Sequence, residues 1–443
     1  MKNLPRHIIF AAFAFLFFTS SAAVPASETL EPDPEFQKTA LKTMKEMWNT
    51  VRDRHYSKSL PGVNWDDIYK EYLPQVKKCQ DQSELLAVLN RMVKELGLSH
   101  IYVLPPENSL TKKAISACRE ARKNLPAPSS AALRVPGNPG LTLCLADGRV
   151  CVLRVKPGLP ADKAGIRSGD AIVGINGFVF DAKKKSEIPW DVIATHMLVG
   201  YPGTELSVDI ENAKGEARTI KLKCVADGSR WLQIGAMPPI PGTFYSEIIS
   251  EQIGYIYFSP FFPEQSVKIR DALKGKLKDV KALILDVRNN PGGMLIIPHG
   301  IAGWLSDEEL EFGKMPIRGT TLTLRSYPQD NAFAGPIAVL INNGSGSAAE
   351  VFAAGMRDND RAVLVGEKTS GQCLPSVFLF LSTGYRLQTV FGDFISKNGA
   401  GIEKIGVDPD IKAKQKRSDL INGKDCVLEA AEKYLLEKLR PEQ

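Results

Sequence analysis

At 443 residues the chain is longer than one ordinary hydrophobic core supports, so its length predicts two or three domains. Hydrophobic residues make up 44% and charged residues 24% of the chain, which argues against a fibrous or largely disordered protein. The net charge of +6 is spread over 56 basic and 50 acidic residues without a long block of one sign, which argues against nucleic acid as a partner.

Residues 1–26 have the pattern of a secretory signal peptide. Lys2 and Arg6 precede an apolar run from Ile8 to Phe18, and the small-residue segment TSSAAVPAS follows. Cleavage is expected after Ala23 or Ala26. The apolar run is short for a membrane-spanning helix, although an uncleaved anchor is the alternative. We therefore expect an exported protein, periplasmic or extracellular, with no integral membrane span once the leader is removed.

The next region, residues 27–123, is predicted to be mainly helical and to end at the segment LGLSHIYVLPPE. Its apolar residues recur at steps of three and four, which is the period of an α-helix. The recurring residues are Leu41, Met44, Met47, Trp48, Val51, Leu85, Leu86, Leu89, Met92 and Val93. Residues 124–140 are rich in Pro, Ser, Ala and Gly and are predicted to be a linker.

Two further regions follow, separated by the proline-rich segment MPPIPGT at residues 237–243. Residues 136–226 alternate short β-type runs with turns. Residues 243–441 alternate apolar β-branched runs (IGYIYF, ALILDV, IAVLI, AVLVG) with helical segments, and they close with an amphipathic helix. That alternation predicts a β/α core with a largely parallel sheet.

Seven cysteines lie beyond the predicted leader: Cys79, Cys118, Cys144, Cys151, Cys224, Cys373 and Cys426. Asp147-Gly148 is a hairpin-turn signal, and a two-residue loop there places Cys144 opposite Cys151. A cross-strand disulfide and two free buried thiols are both compatible with this register. The spacings do not resemble a zinc site, and we expect no metal and no cofactor.

The middle region resembles the PDZ domains found inside processing proteases. The resemblance rests on GLTL at residues 140–143 and on VCVLRVKPGLPADKAGIRSGDAIVGINGFVF at residues 150–180. It implies a PDZ domain over residues 136–226, whose loop would bind a substrate's C-terminal carboxylate through backbone N–H groups. The implied substrate-binding residues are Gly140, Leu141, Thr142 and Leu143. An unrelated small β-domain is the alternative.

Three segments of the last region resemble the family of C-terminal-processing (tail-specific) and tricorn-core serine peptidases. They are ALILDVRNNPGG at 282–293, INNGSGSAAEVFAAGMRDNDRAVLVGEKTSG at 341–371 and GIEKIGVDPDI at 401–411. The resemblance implies a multidomain α/β protein: a helical N-terminal region, a PDZ domain (a partly open β-barrel with helices) and a ClpP/crotonase-like β/α core. The implied activity is hydrolysis of peptide bonds in polypeptide substrates.

By this resemblance Ser347, rather than Ser345, is the nucleophile. It lies between the run IAVLI and a helix, and a serine at a strand-to-helix corner projects its hydroxyl beside free N–H groups. A plain helix N-cap is the alternative. Gly292 or Gly293 would donate one N–H to the oxyanion, with Gly292 favoured, and Ala348 would donate the second.

The base departs from the tail-specific branch, which uses a lysine in the pattern GEKTxGK. Here the sequence is GEKTSGQ, so Gln372 stands at the lysine position. The pattern assigns Lys368 no catalytic role. The tricorn-like branch instead uses Ser–His–Glu, with a histidine in the pattern LGxxH. LGLSH places His100 there, although Leu98 and Ile101 depart from that branch.

Glu403 stands at the glutamate position of the tricorn-like branch and would orient the His100 imidazole. His299, near the Gly-rich turn, is the reserve base. The alternative function is a catalytically inactive relative, in which the PDZ domain only binds or presents C-terminal tails.

Overall fold

The structure, a computed structural model, describes residues 33–60, 62–106, 135–181, 189–250 and 252–440. The predicted signal peptide, Cys118 and most of the predicted linker lie outside these residues. Within the described residues, no helix has both the length and the apolar character needed to cross a membrane. The chain is a mixed α/β protein.

The first described region consists of three helices. They are α1 (Pro34–Arg54), α2 (Trp65–Lys78) and α3 (Gln82–Lys94). Each begins at a polar side chain, Asp33, Asn64 or Asp81, that accepts backbone N–H groups of the first turn. Their apolar faces, including Met44 and Leu89, form a common buried cluster. The short strand β1 (Tyr102–Leu104) follows.

The middle region is an antiparallel sheet with two short helices. Its elements are β2 (Gly137–Asn138), β3 (Leu141–Ala146), β4 (Arg149–Val155), α4 (Pro160–Lys163), β5 (Ala171–Ile175), β6 (Phe178–Val179), α5 (Trp190–Met197), β7 (Glu205–Glu211), β8 (Ala217–Lys223) and β9 (Val225–Ala226). The strand order is β3-β4-β5-β7-β8, so β3 is an edge strand. Helix α5 packs beside β3 and β4.

The predicted two-residue hairpin is present. Asp147 and Gly148 both have positive φ (50° and 75°), and Cys144 is directly opposite Cys151. Both thiols are free and buried. Burial raises the pKa of Cys151 to about 11 and that of Cys144 well above its ordinary value. The structure therefore has the second alternative, two buried free thiols.

The last region is built on a seven-stranded sheet. Its strands, in spatial order, are β10 (Arg230–Leu232), β11 (Ile240–Ser250), β12 (Ile253–Ser259), β13 (Ala282–Asp286), β16 (Ile337–Ile341), β17 (Val363–Gly366) and β21 (Ile411–Lys412). The pairs from β12 to β21 are parallel, as the alternation of strands and helices predicts. The carboxyl ends of these strands therefore meet at one edge.

Helices cover both faces of this sheet. One face carries α6 (Pro263–Lys274), α7 (Ile296–Gly303) and α8 (Ala348–Asp358), and the other carries α10 (Cys426–Lys438), which follows the short helix α9 (Arg417–Ile421). Leu283 and Leu285 of β13 pack towards the first set, whereas Ile284 packs towards α10. Burial on both faces explains why β13 and β16 are continuous apolar runs.

Two three-stranded sheets complete the region. One contains β14 (Leu310–Ile317), β15 (Thr320–Ser326) and β20 (Ile395–Ser396), and the other contains β18 (Ser376–Phe380) and β19 (Arg386–Val390). The second sheet has the order β1-β19-β18, and Tyr102 pairs with Gln388. Because β1 joins this sheet, the segment before it, which contains His100, is brought to the peptidase-like core.

Candidate active site

Ser347 lies at the corner between β16 and α8. Its backbone has φ 53° and ψ −120°, a strained conformation for a residue with a side chain. Its N–H donates to the Gln372 carbonyl oxygen at 2.8 Å and to Glu350 Oε2 at 3.1 Å. The neighbouring Ser345 is fully buried, and its hydroxyl donates to the Val287 carbonyl oxygen at 2.7 Å. The Ser345 hydroxyl is thus used in a buried structural hydrogen bond, whereas Ser347 occupies the strand-to-helix corner.

A buried carboxylate, Glu350, fixes the loop that faces Ser347. It accepts hydrogen bonds of 2.6–3.3 Å from the Thr369 and Ser370 hydroxyls and from the N–H groups of Gly371, Gln372 and Ser347. Burial raises the pKa of Glu350, although these donors oppose the shift. The loop after β17 and the Ser347 corner are consequently held by one side chain.

The Gly-rich turn after β13 lies directly against this corner. A Cβ atom on Gly292, whose φ is 96°, would lie 2.7 Å from both Ser347 Cβ and Ala348 N. Only glycine permits this approach. The Gly292 N–H already donates to Asn290 Oδ1 at 3.0 Å. Within the described residues, the N–H groups of Gly293 and Ala348 have no acceptor, whereas that of Gly292 is in use.

His100 and Glu403 are joined through a third residue, Ser99. The Ser99 hydroxyl donates to Glu403 Oε2 at 2.9 Å, and His100 Nδ1 lies 2.8 Å from the same hydroxyl oxygen. Within the described residues, Glu403 and the imidazole are therefore linked through the Ser99 hydroxyl, with no direct hydrogen bond between them. Sequence reasoning missed Ser99, although it immediately precedes the motif histidine.

The bond directions determine the tautomer of His100. A hydroxyl has a single hydrogen, and that of Ser99 is used on Glu403, so the Ser99 oxygen accepts the Nδ1–H of His100. Nε2 then has a free lone pair. Desolvation lowers the pKa of His100 to about 4, which keeps the ring neutral near pH 7. A neutral imidazole with free Nε2 is the form that a general base needs.

Two hydrogen bonds of neighbouring residues connect the Ser347 corner with the His100–Ser99–Glu403 chain. The Cys373 N–H donates to Glu403 Oε2 at 3.0 Å, and the preceding residue, Gln372, accepts from Ser347. Within the described residues, no hydrogen bond joins Ser347 to the His100 ring. The structure thus gathers Ser347, His100 and Glu403 without forming the nucleophile–base bond.

The other base candidates are engaged elsewhere. Lys368 forms an ion pair with Asp408 at 3.0 Å. His299 is buried in the core against the Phe312 ring, and burial lowers its pKa. Neither contacts Ser347 in the described structure.

Two backbone N–H groups of the loop at residues 140–143 already have an acceptor in the nearby Asn138 side chain. The N–H groups of Gly140 and Leu141 donate to Asn138 Oδ1 at 2.6 and 3.1 Å. Leu141 and Leu143 are buried and Thr142 is exposed. A carboxylate could therefore take these two N–H groups only by displacing the Asn138 amide.

The Gly-rich turn also contacts the middle region. Asn289 Nδ2 donates to Asp191 Oδ2 of α5 at 2.9 Å and to the Leu143 carbonyl oxygen of β3 at 3.3 Å. Burial raises the pKa of Asp191 to about 6. The middle region is thus hydrogen-bonded to the Gly-rich turn that lies against Ser347.

A strained serine at a strand-to-helix corner, two free N–H groups and a neutral histidine on a mainly parallel β/α core are features typical of serine hydrolases. Residues 252–413 match the family model for peptidase family S41, and residues 37–94 match the model for the tricorn protease C1 domain. Residues 252–413 are therefore a peptidase family S41 domain, and the chain is a serine-type peptidase that is similar to C-terminal-processing peptidases and to tricorn proteases.

Relatives agree with this assignment, and a solved structure has a similar fold. The chloroplastic carboxyl-terminal-processing peptidase 3 of Arabidopsis thaliana is 24% identical over 84% of this chain and 69% of its own length. Tricorn protease homolog 1 of Streptomyces coelicolor is 25% identical over 91% of this chain, which spans 35% of that relative. The photosystem II D1 C-terminal processing protease has a similar fold, with a TM-score of 0.54 at 22% identity, covering 89% of this chain and 99% of that one.

Proposed function

We propose that this peptidase uses Ser347 as nucleophile, His100 as general base and Glu403 as the carboxylate that acts on His100 through Ser99. The observation that supports this most is the His100–Ser99–Glu403 hydrogen-bond chain, beside the segment that holds Ser347. The lysine of the tail-specific branch is absent, since Gln372 stands in its place. Histidine is then the available base.

In the proposed reaction, Ser347 Oγ forms a bond to the carbonyl carbon while its proton passes to His100 Nε2. The N–H groups of Gly293 and Ala348 stabilise the oxyanion. Collapse breaks the C–N bond, and His100 returns the proton to the leaving amine. Water, deprotonated by His100, then attacks the acyl carbon, the bond to Ser347 Oγ breaks, and His100 returns the proton to Oγ.

The missing bond between Ser347 and His100 favours a second candidate, an inactive relative that only binds polypeptides. Catalytic hydrogen bonds often form only once substrate is bound, so a loose resting geometry is compatible with catalysis. The two candidates differ in one chemical property, the activation of the Ser347 hydroxyl.

Labelling with a fluorophosphonate measures that property. Protein starting at residue 27 should be labelled at Ser347, and Ser347→Ala should not be labelled. His100→Ala should lose labelling, whereas Lys368→Ala should retain it. Absence of labelling in the unaltered protein, together with intact β-casein after prolonged incubation, would establish the inactive alternative.

We further propose that residues 136–226 are a PDZ domain that binds C-terminal tails between the edge strand β3 and helix α5. Its loop N–H groups now donate to Asn138 Oδ1, an oxygen acceptor like a carboxylate. Peptides with an apolar last residue should bind full-length Ser347→Ala protein, and C-terminal amidation should weaken binding. Equal affinity for matched acid and amide peptides would contradict carboxylate capture.

The N-terminal pattern supports the proposal that the protein is exported. N-terminal sequencing of protein secreted or released from the periplasm should begin at residue 24 or 27, after Ala23 or Ala26. A protein that still begins at Met1 in the membrane fraction would show instead that the leader is an uncleaved anchor.

A further inference from the structure

A cleft of about 690 Å³ lies between helix α1 and the far end of strand β18, away from Ser347. Lys42, Lys45 and Arg54 of α1 line one side, and Leu379 and Phe380 line the other. The Phe380 side chain is 58% exposed. The cleft therefore combines basic groups with an exposed aromatic ring.

The strand that borders this cleft has a free edge. In its sheet, β18 pairs only with β19, so one row of its backbone N–H and C=O groups has no strand partner among the described residues. Such an edge is a template for an additional extended chain, which gains main-chain hydrogen bonds by pairing there.

The same strand leads back to the candidate active site. It begins three residues after Cys373, whose N–H contacts Glu403, and Gln372 accepts from the Ser347 N–H. At about 3.3 Å per residue, the seven steps from Cys373 to Phe380 span about 23 Å. A polypeptide paired along β18 would thus extend from Ser347 to the cleft.

The positive charges in the cleft are not neutralised within the described residues. Lys42, Lys45 and Arg54 are exposed and form no ion pair there. Of the two acidic groups in the cleft, Asp53 pairs with Arg52, whereas Glu46 accepts from the backbone N–H and hydroxyl of Ser382 and keeps its charge. The three basic groups therefore still outnumber the unpaired carboxylate. The cleft consequently favours an acidic occupant.

We propose that the substrate polypeptide adds to the free edge of β18 and places acidic residues about six to nine positions from the scissile bond against Lys42, Lys45 and Arg54. This inference rests on the proposed function, because it defines the substrate class of the same site. The substrates are extended polypeptide segments with an acidic stretch at that distance.

Binding to full-length Ser347→Ala protein tests the proposal without cleavage. The probes are fluorescent peptides built around a bond mapped in a β-casein digest, with four glutamates or four glutamines six to nine residues away. One pair has the stretch before the bond and the other has it after the bond, since β18 could pair in either direction. One glutamate peptide should bind roughly three- to tenfold more tightly at low salt, with the preference lost near 0.5 M salt.

Charge reversal provides the matched control. Lys42→Glu/Lys45→Glu should invert the preference towards a peptide with four lysines. Lys77→Glu/Lys78→Glu, on the exposed side of α2 and outside the cleft, should leave it unchanged. Equal affinities for all glutamate and glutamine peptides, or an equal effect of the two double variants, would overturn the proposal.

Backbone pairing is tested separately. Successive peptide N–H groups of a strand point to opposite edges, so N-methylation at alternate positions should weaken binding with a period of two. A uniform effect would contradict strand addition. Failure of the proposed function is distinguishable from these outcomes, because it would appear as absent Ser347 labelling even where the acidic peptides bind selectively.

Discussion

The two halves of the candidate site are built in different ways. The half around Ser347 comes from neighbouring elements of one domain: β13, β16, α8 and the loop after β17. Most of its hydrogen bonds involve backbone N–H groups, as in the three that Glu350 accepts and the one that Gly292 donates to Asn290. The half around His100 joins residues 304 positions apart, through the side chains of Ser99 and Glu403.

This difference separates two physical requirements. The Ser347 corner follows directly from the parallel sheet, because the ends of adjacent strands meet there. The His100 half depends on the docking of β1 onto β19, which brings the helical region to the core. Substitutions on the Ser347 side should therefore lower activity by steric displacement of the serine. Substitutions on the His100 side should lower it by changing which imidazole nitrogen carries the proton.

The largest expected effect tests whether the two halves work as one unit. Ser347→Ala and His100→Ala should each lower kcat by about 10⁴-fold or more, and the double variant should be no worse than either, because the residues act in the same step. Gln372→Ala should retain most activity. Full activity in His100→Ala would end the proposal that this residue is the base, and a loss in Gln372→Ala alone would give that amide a role.

A steric change on the Ser347 side should have the next largest effect. Gly292→Ala places a methyl group against Ser347 and Ala348 and should lower kcat by about 10²-fold, the cost of displacing a reacting group by about 1 Å. Gly399→Ala is the matched control, since Gly399 also has positive φ (81°) but has no atom within 4 Å of the added Cβ. Equal losses in both variants would assign the effect to backbone strain, not to the close approach.

Removal of the Ser99 hydroxyl, which links His100 to Glu403, should have a smaller effect. Ser99→Ala removes the acceptor of the His100 Nδ1–H and should lower kcat by about 10–100-fold, the usual cost of losing a side chain that orients a catalytic group. The Ser99 N–H still donates to Glu403, so the loop remains in place. Ser99→Thr keeps a hydroxyl and should restore most of the rate. Unchanged kcat in Ser99→Ala would show that Glu403 acts without it.

The smallest effect concerns pH. Desolvation lowers the pKa of His100 to about 4, so kcat/KM at pH 5.5 should stay within about twofold of its value at pH 7. A base with the ordinary pKa of about 6.5 would lose about tenfold. A rate profile that falls with an apparent pKa near 6.5 would contradict a desolvated His100.

The lowered pKa of His100 also makes the free energy of unfolding depend on pH. The folded state keeps His100 neutral, so its contribution is complete above the unfolded pKa of about 6.5 and is lost as the pH falls towards 4, where the unfolded chain takes up the proton. The unaltered protein should therefore lose more stability than His100→Gln between pH 7 and pH 4. Urea unfolding at both pH values measures this difference.

The sequence by itself determined the features that depend on neighbouring residues. The apolar runs that become β13 and β16 are continuous because both faces are covered, and Ser347 falls at the end of one of them. The hairpin at Asp147 and Gly148 follows from residues that tolerate positive φ. Gln372 at the lysine position and the LGLSH motif together predict His100 as the base from the sequence.

Only the tertiary structure decided what depends on distant groups meeting. Ser99 between His100 and Glu403, the use of the Gly292 N–H by Asn290, and the basic cleft beside β18 cannot be read from local spacing. Each requires atoms that are brought together by sheet pairing or loop docking. A hydrogen bond has a range of about 3 Å, so a shift of one residue in register would rearrange these contacts while leaving the motifs intact.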